Sequence, residues 1–351
     1  MKKSQKLLLG TLTIGWLIYF LYKTITVNGI FLKIEPFSEF KSEIIASEPG
    51  IEDITIDQET GIAYFSSHDR RNPESFGKIL SADIQKDTLV FNDLSSKFKL
   101  NEFRPHGISF LKLKDKRKFL FVISHGKTKH DILKFEILGD SLEYLNRYSS
   151  SEFVSPNDLL AVGENQFFVT NDHNTRTKWK VFLFDFFRIP TGNVVYFDGN
   201  RAKAASDKIC YPNGINISDD GTKIFLTSTL EKKIFTFRPS ASSQALELTD
   251  EAPIKYSPDN IEKTVDGKLL VACHPKNLAF LSHRKSEKNL SPSAIFEINQ
   301  NNLKEQNLIL LDDGSKISGS SVAAPFVNQN GKDGILVGCV FDKKILKLST
   351  N

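Results

Sequence analysis

Five oxygen-bearing side chains, spread over most of the chain, share one local setting. Glu52, Asn157, Asn213, Asp259 and Asn260 each stand at the front of an alternating apolar stretch. A hard cation such as Ca2+ takes roughly six to eight oxygens from carboxylates, amides, carbonyls and water, whereas zinc asks for histidine or cysteine. Two carboxylates among three amides balance one dication. Five carboxylates in one place would repel one another and quench the ion's Lewis acidity. Taken singly, Asn-Gly and Asp-Asn are ordinary turn openers. Five in register point to a shared ion.

Sharing requires elements that bring distant residues together. In "YPNGINISDDGTKIFLTST", from Tyr211, Ile215 and Ile217 alternate with Asn216 and Ser218, and Ile224 and Leu226 continue the apolar side. Asp219-Asp220-Gly221 between the halves is hairpin-turn chemistry, so the stretch reads as strand, turn, strand. The same grammar opens at Gly50, Pro105, Ser155, Ser257 and Ser318, with lead polar residues Glu52, His106, Asn157, Asn213, Asn260 and Ser320. Six repeats at a loose period of about fifty residues predict an all-β, six-bladed β-propeller over residues 31–351. Residues at one phase of the innermost strands of such a ring face one central channel, which is where the five oxygen donors would meet. Outside the N-terminal segment no long helical pattern is present.

The bulk composition narrows the partners. The net charge of +4 is small and its basic residues are dispersed, which argues against nucleic acid. Phe is abundant at 28 and Met occurs once, so rings carry much of the packing. Cys210, Cys273 and Cys339 sit in or beside apolar runs and read as buried free thiols. Residues 1–30 stand apart: Lys2, Lys3 and Lys6 precede the uncharged run Leu7 to Tyr22, closed by Lys23. "YFLYKTITVNG" offers no small-residue cleavage site, so the expectation is a retained signal-anchor helix with the propeller outside the cytoplasm. The alternative is secretion after cleavage of the leader.

The motifs "GIEDI", "PHGIS", "PNDLLAVG…FFVTNDH", "PNGINISDDG", "DNI…DGKLLVACHP" and "GSSVA…ILVGCVFDKKI" resemble the paraoxonase/arylesterase family of calcium-dependent, six-bladed propeller lactonases. They run in family order from Gly50 to the C-terminus. The resemblance implies a catalytic calcium on Glu52, Asn157, Asn213, Asp259 and Asn260, the same five residues that the phase selects. It implies a second, structural calcium on Asp53, Asp158 and the carbonyl of Ile108, and a histidine pair at His106 and His125. It places His173 and His274 in family positions, read here as packing behind the site. His130 and His283, among charges, read as surface. One departure is the lack of the cysteines with which such proteins commonly tie their ends together, so ring closure must rest on strand pairing. Another is the charged loop "SSHDRRNPESFG", whose His68, Asp69, Arg70 and Arg71 read either as solvated surface or as steering for an acidic substrate.

The expected activity is hydrolysis of lactones and aryl esters, with the ion polarising the carbonyl, His106 taking a proton from water and His125 relaying or orienting. Two other readings share the fold: a gluconolactonase- or strictosidine-synthase-like enzyme lacking the histidine pair, and a non-catalytic propeller that uses calcium as an axial rivet.

Overall fold

Period-two alternation, repeated six times, forms six antiparallel sheets. The computed structural model describes residues 3–350 apart from 87, 99, 101 and 330. The innermost strands are Ile51–Asp57, Pro105–Lys112, Pro156–Gly163, Pro212–Ile217, Ser257–Lys263 and Ser320–Val327. Each touches the next in this order, and the sixth returns to the first, so the sheets close into a six-bladed propeller. In the first five blades the chain steps outward strand by strand in sequence order.

The sixth blade closes the ring. Its outer strand is Lys41–Ala46, which runs antiparallel to Lys344–Ser349 with Lys41 opposite Ser349 and Ala46 opposite Lys344. The expected non-covalent closure is therefore what the chain uses, and all three cysteines are free and buried. Between each pair of neighbouring blades lies one apolar cluster. Phe121, Phe167 and Val195 fill the one between blades two and three, where Phe167 stacks on Phe197 with ring centroids 5.0 Å apart. A buried Phe contributes about 2–3 kcal/mol, so these aromatic seams do the work that a covalent staple would share.

Among the described residues three helices are present: α1 (Lys3–Val27), which was expected, and α2 (Lys178–Phe187) and α3 (Asn277–Lys285), which depart from the all-β reading. The last two are too short to give a sustained helical period and were not expected. Among the described residues no helix is long and apolar enough to cross a membrane, so the signal-anchor expectation for α1 gains no structural support. Inner strands start at one end of the ring and second strands return to it. The connections after those second strands therefore gather on one face: residues 68–77, the α2 segment and the α3 segment.

Candidate functional site

On that face every inner strand breaks its ladder at the same point. The register slips between Ile51 and Asp53, Pro105 and Ile108, Pro156 and Leu159, Pro212 and Ile215, Pro258 and Ile261, and Ser320 and Val322. The skipped residues include Glu52, His106, Asn157, Asn213, Asp259 and Asn260. A bulge bends the strand and re-aims its side chains, which is how consecutive residues such as Asp259 and Asn260 both serve one end of the channel. Gly107 and Gly214 allow the strands to crowd there. A Cβ on the first would lie 2.7 Å from Asp158 Oδ1, and one on the second 2.6 Å from the Asn260 Cα.

The five oxygen donors are all buried. Asn213 donates its amide nitrogen to Thr229 Oγ1 at 3.0 Å, and Asn260 donates its own to Glu52 Oε1 at 3.3 Å. These bonds fix the amide nitrogens and leave the oxygens over. Glu52 Oε2, Asn157 Oδ1, Asn213 Oδ1 and Asn260 Oδ1 are buried without a hydrogen-bond partner among the described residues. Asp259 Oδ2 accepts from His274 Nε2 at 2.8 Å. Unpaired buried oxygens cost about 1–3 kcal/mol each, and four from four blades form a cradle for a cation. Burial also drives the Glu52 carboxyl well above its usual range, with Asp53 and Asp259 adding repulsion against the pull of Arg70. Among the described residues no trio of His, Cys, Asp or Glu has chelating geometry, so the donor set is one of mixed amides and carboxylates. That mixture suits Ca2+.

One residue further along the first and third inner strands lies the second predicted set. Asp53 accepts from the backbone N–H of Ile108 at 2.7 Å and of Ile54 at 2.8 Å; Asp158 accepts from Ile215 at 2.8 Å and Leu159 at 2.7 Å. Burial raises Asp53 to about 7 against those bonds, and raises Asp158 well above the carboxylate range with Asp53 adding to it. Glu262, which the sequence did not single out, is raised by burial and by Asp53 as well, and accepts from Asn216 Nδ2 at 3.3 Å. These buried carboxylates repel one another but form no chelating trio among the described residues.

Beside Glu52 stand the histidines. His106 Nε2 lies 3.4 Å from Glu52 Oε1, and its ring meets that of His125 edge-on at 4.8 Å. His125 Nδ1 is 3.0 Å from His130 Nδ1, so His130 is the third member of a histidine row and not the surface residue expected. Burial holds His106 and His125 well below the usual imidazole range, helped by Arg70 for the first and His130 for the second. The loop of residues 68–77 also departs from the solvated reading. His68 is buried, and Arg70 turns inward, donating to the carbonyls of Gly50 (3.1 Å) and Pro105 (3.4 Å) and to His106 Nδ1 (3.3 Å). His283 is fully buried, its Nε2 3.0 Å from Asp342. The local sequence carries little signal for these inward turns, because Arg70 reaches Gly50, Pro105 and His106 and His283 pairs with Asp342, all distant in sequence.

His173 anchors α2. Its ring nitrogens lie 3.0 Å from Asp172 Oδ1 and 2.8 Å from Asp185 Oδ1, the latter on the helix. Burial works to lower its pKa, but the two carboxylates overcome that and push it up to about 9. A raised folded-state pKa contributes stability fully present below the unfolded value near 6.5 and lost as pH rises through about 9. With half-exposed Asp185 screened by solvent, the contribution is on the order of 2 kcal/mol. The melting temperature is therefore expected to fall across that interval, and to lose the slope in His173→Gln. An equal slope in the variant refutes the assignment.

Comparisons with known proteins fit this geometry. The Arylesterase family model matches residues 51–347. Serum paraoxonase/arylesterase 1 of Homo sapiens is 29% identical over 319 residues, 85% of each chain. Serum paraoxonase/arylesterase 2 of Bos taurus is 31% identical over 315 residues, covering 85% of this chain and 83% of that one. Among solved structures, a gluconolactonase from Xanthomonas campestris superposes with a TM-score of 0.53 at 13% identity, covering 91% of this chain and 90% of that one. A calcium-binding regucalcin from Agrobacterium tumefaciens gives 0.52 at 13%, covering 89% and 95%. At such identities the structural likeness speaks for the fold.

Proposed function

We propose, on the premise that this chain belongs to the arylesterase (paraoxonase) family, that it is a calcium-dependent hydrolase of carboxylic esters, acting on lactones and aryl esters. The observation that carries the reading is the set of four buried oxygens without hydrogen-bond partners among the described residues, from four blades, beside a half-buried neutral histidine. Glu52, Asn157, Asn213, Asp259 and Asn260 would hold the ion at the reaction centre, and Asp53, Asp158 and the Ile108 carbonyl a second, structural one, with Glu262 close by. Calcium bound by the first set would supply a fixed positive charge for the carbonyl oxygen as negative charge develops on it.

The chain's own groups do the rest. Water adds to the carbonyl carbon, its proton passes to His106, and the C–O bond to the leaving alkoxide or phenoxide breaks as that oxygen is protonated. His125, whose ring meets His106 edge-on and is itself held by His130, orients the ring. Asn260, through its bond to Glu52, and His274, through its bond to Asp259, keep two carboxylates from drifting. We place the propeller outside the cytoplasm, carried there by the Leu7–Tyr22 segment. The support for that is the lysine-flanked apolar pattern and the serum naming of the relatives.

The test is hydrolysis of phenyl acetate, a γ-lactone and a δ-lactone by the full chain, with calcium and with EGTA. Turnover that vanishes with EGTA and returns with calcium is expected. Failure on all three substrates would favour the non-catalytic propeller, in which calcium is only a rivet.

A further inference from the structure

The geometry points to a substrate that carries its own carboxylate, seated in a cationic cavity beside the hydrolytic centre; the inference rests on the hydrolase reading above. The cavity measures about 530 Å³ and is lined by Arg70, Arg71, Leu281, Arg284 and Lys285. Four of its five walls are cations. A cavity of similar size, about 540 Å³, is walled by mixed charges and amides such as Asp266, Lys268, Glu297 and Asn299, and gathers no single sign of charge.

Little anionic charge offsets the four. Arg71 is fixed by Asp342 at 3.3 Å and by the carbonyl of His283 at 3.0 Å, and lies over the Phe341 ring at 5.2 Å. Arg70 has one carboxylate in ion-pair contact among the described residues, Glu52 at 3.8 Å, and feels Asp259 and Asp53 beyond it, all three already assigned to the ions. Arg284 and Lys285 are exposed and form no ion pair among the described residues. Basic residues in the last turn of α3 offset the helix dipole. That accounts for Arg284 and Lys285 but not for the two arginines facing them from residues 70–71, a separate loop of the first blade. Two elements far apart in sequence hold four like charges around one hollow, an arrangement that repels itself until an anion enters. The Arg284 guanidinium fork matches carboxylate geometry, while Arg70 and Arg71, whose terminal nitrogens already donate to carbonyls and side chains, add fixed positive charge behind it.

Arg70 ties the cavity to the chemistry. Its side chain lines the hollow while its Nη2 donates to His106 Nδ1 at 3.3 Å. Three backbone carbonyls, of Gly50, His68 and Pro105, hold the guanidinium in place, and Gly50, at φ +63° and with Arg70 Nη1 3.1 Å from where its Cβ would be, leaves the room for it. A carboxylate on the cavity side of Arg70 is thus one guanidinium's breadth from the residue proposed to activate water.

The test compares 4-acetoxybenzoate with its methyl ester, using the full chain with calcium. The neutral ester has the better leaving group, so intrinsic reactivity works against the expected result. The carboxylate is expected to show a kcat/KM about tenfold higher, an advantage that shrinks toward unity at about 0.5 M salt and in Arg284→Gln/Lys285→Gln. Binding is read separately by calorimetry with 4-acetamidobenzoate and its methyl ester, amides that are not turned over. Wild type should bind the carboxylate about tenfold more tightly, and the double variant should not. Binding preference without hydrolysis of either ester leaves the anion seat standing and removes the hydrolase reading. Hydrolysis of both esters without a preference removes the seat and leaves the hydrolase. A preference that survives in the double variant also overturns the proposal, since the carboxylate would then sit on the ion.

Discussion

Stripping calcium with EGTA is expected to lower the melting temperature by about 5–10 °C and to silence ester hydrolysis in the same titration. The argument starts from the channel. Four buried oxygens lack hydrogen-bond partners among the described residues, and the carboxyls of Glu52, Asp53, Asp158 and Glu262 are driven upward by burial and by neighbouring carboxylates. Each is a cost that a dication removes. At about a thousand times its dissociation constant, one site adds about 4 kcal/mol to the folded state. Magnesium is smaller and holds its waters in near-octahedral geometry, so it should not substitute. In Glu52→Gln the EGTA-induced shift should shrink, because the donor with both an unpaired oxygen and a formal charge is lost. A melting curve indifferent to chelation in the wild type would remove both ions from the account.

What the sequence carried and what it hid divide along range of interaction. The oxygen donors were legible because each blade repeats one local phrase, and a repeated phrase places equivalent residues at equivalent phase. Hairpin turns such as Asp219-Asp220-Gly221 were legible for the same local reason; Gly221 has φ +70°. The six bulges were not, since a strand with one extra residue shows the same alternation on either side of it. Arg70 was hidden further. "HDRRNPESFG" has the composition of a solvated loop, and its Arg70 guanidinium is drawn inward by groups distant in sequence, the carbonyls of Gly50 and Pro105 and the His106 ring. His283, among charges, reads as surface until Asp342, contributed by the sixth blade, arrives beside it. Closure was foreseen from what is missing: without terminal cysteines, Lys41–Ala46 had to find Lys344–Ser349 by backbone pairing alone.

His106→Gln is expected to lower kcat on lactones by about 10²–10⁴-fold while leaving the fold intact. An arginine only donates, so the Arg70 contact at 3.3 Å makes His106 Nδ1 an acceptor and puts the ring's proton on Nε2, toward Glu52 Oε1 at 3.4 Å. Glutamine keeps both functions, an oxygen for Arg70 and an N–H for Glu52, and loses only the capacity to take a proton. The lone pair that receives the proton from water is the one Arg70 covers, so turnover requires Arg70 to yield it. Because burial and Arg70 hold His106 well below 6.5, the ring is neutral at physiological pH. The kcat/KM of the wild type should thus be level from about neutral pH upward and fall only in acid, and that acid limb should vanish in the variant. Undiminished turnover by His106→Gln would take the base role from it. If His125→Gln then loses the activity, the proton goes to the second histidine of the row, and Arg70 serves to lock His106 as a donor to Glu52.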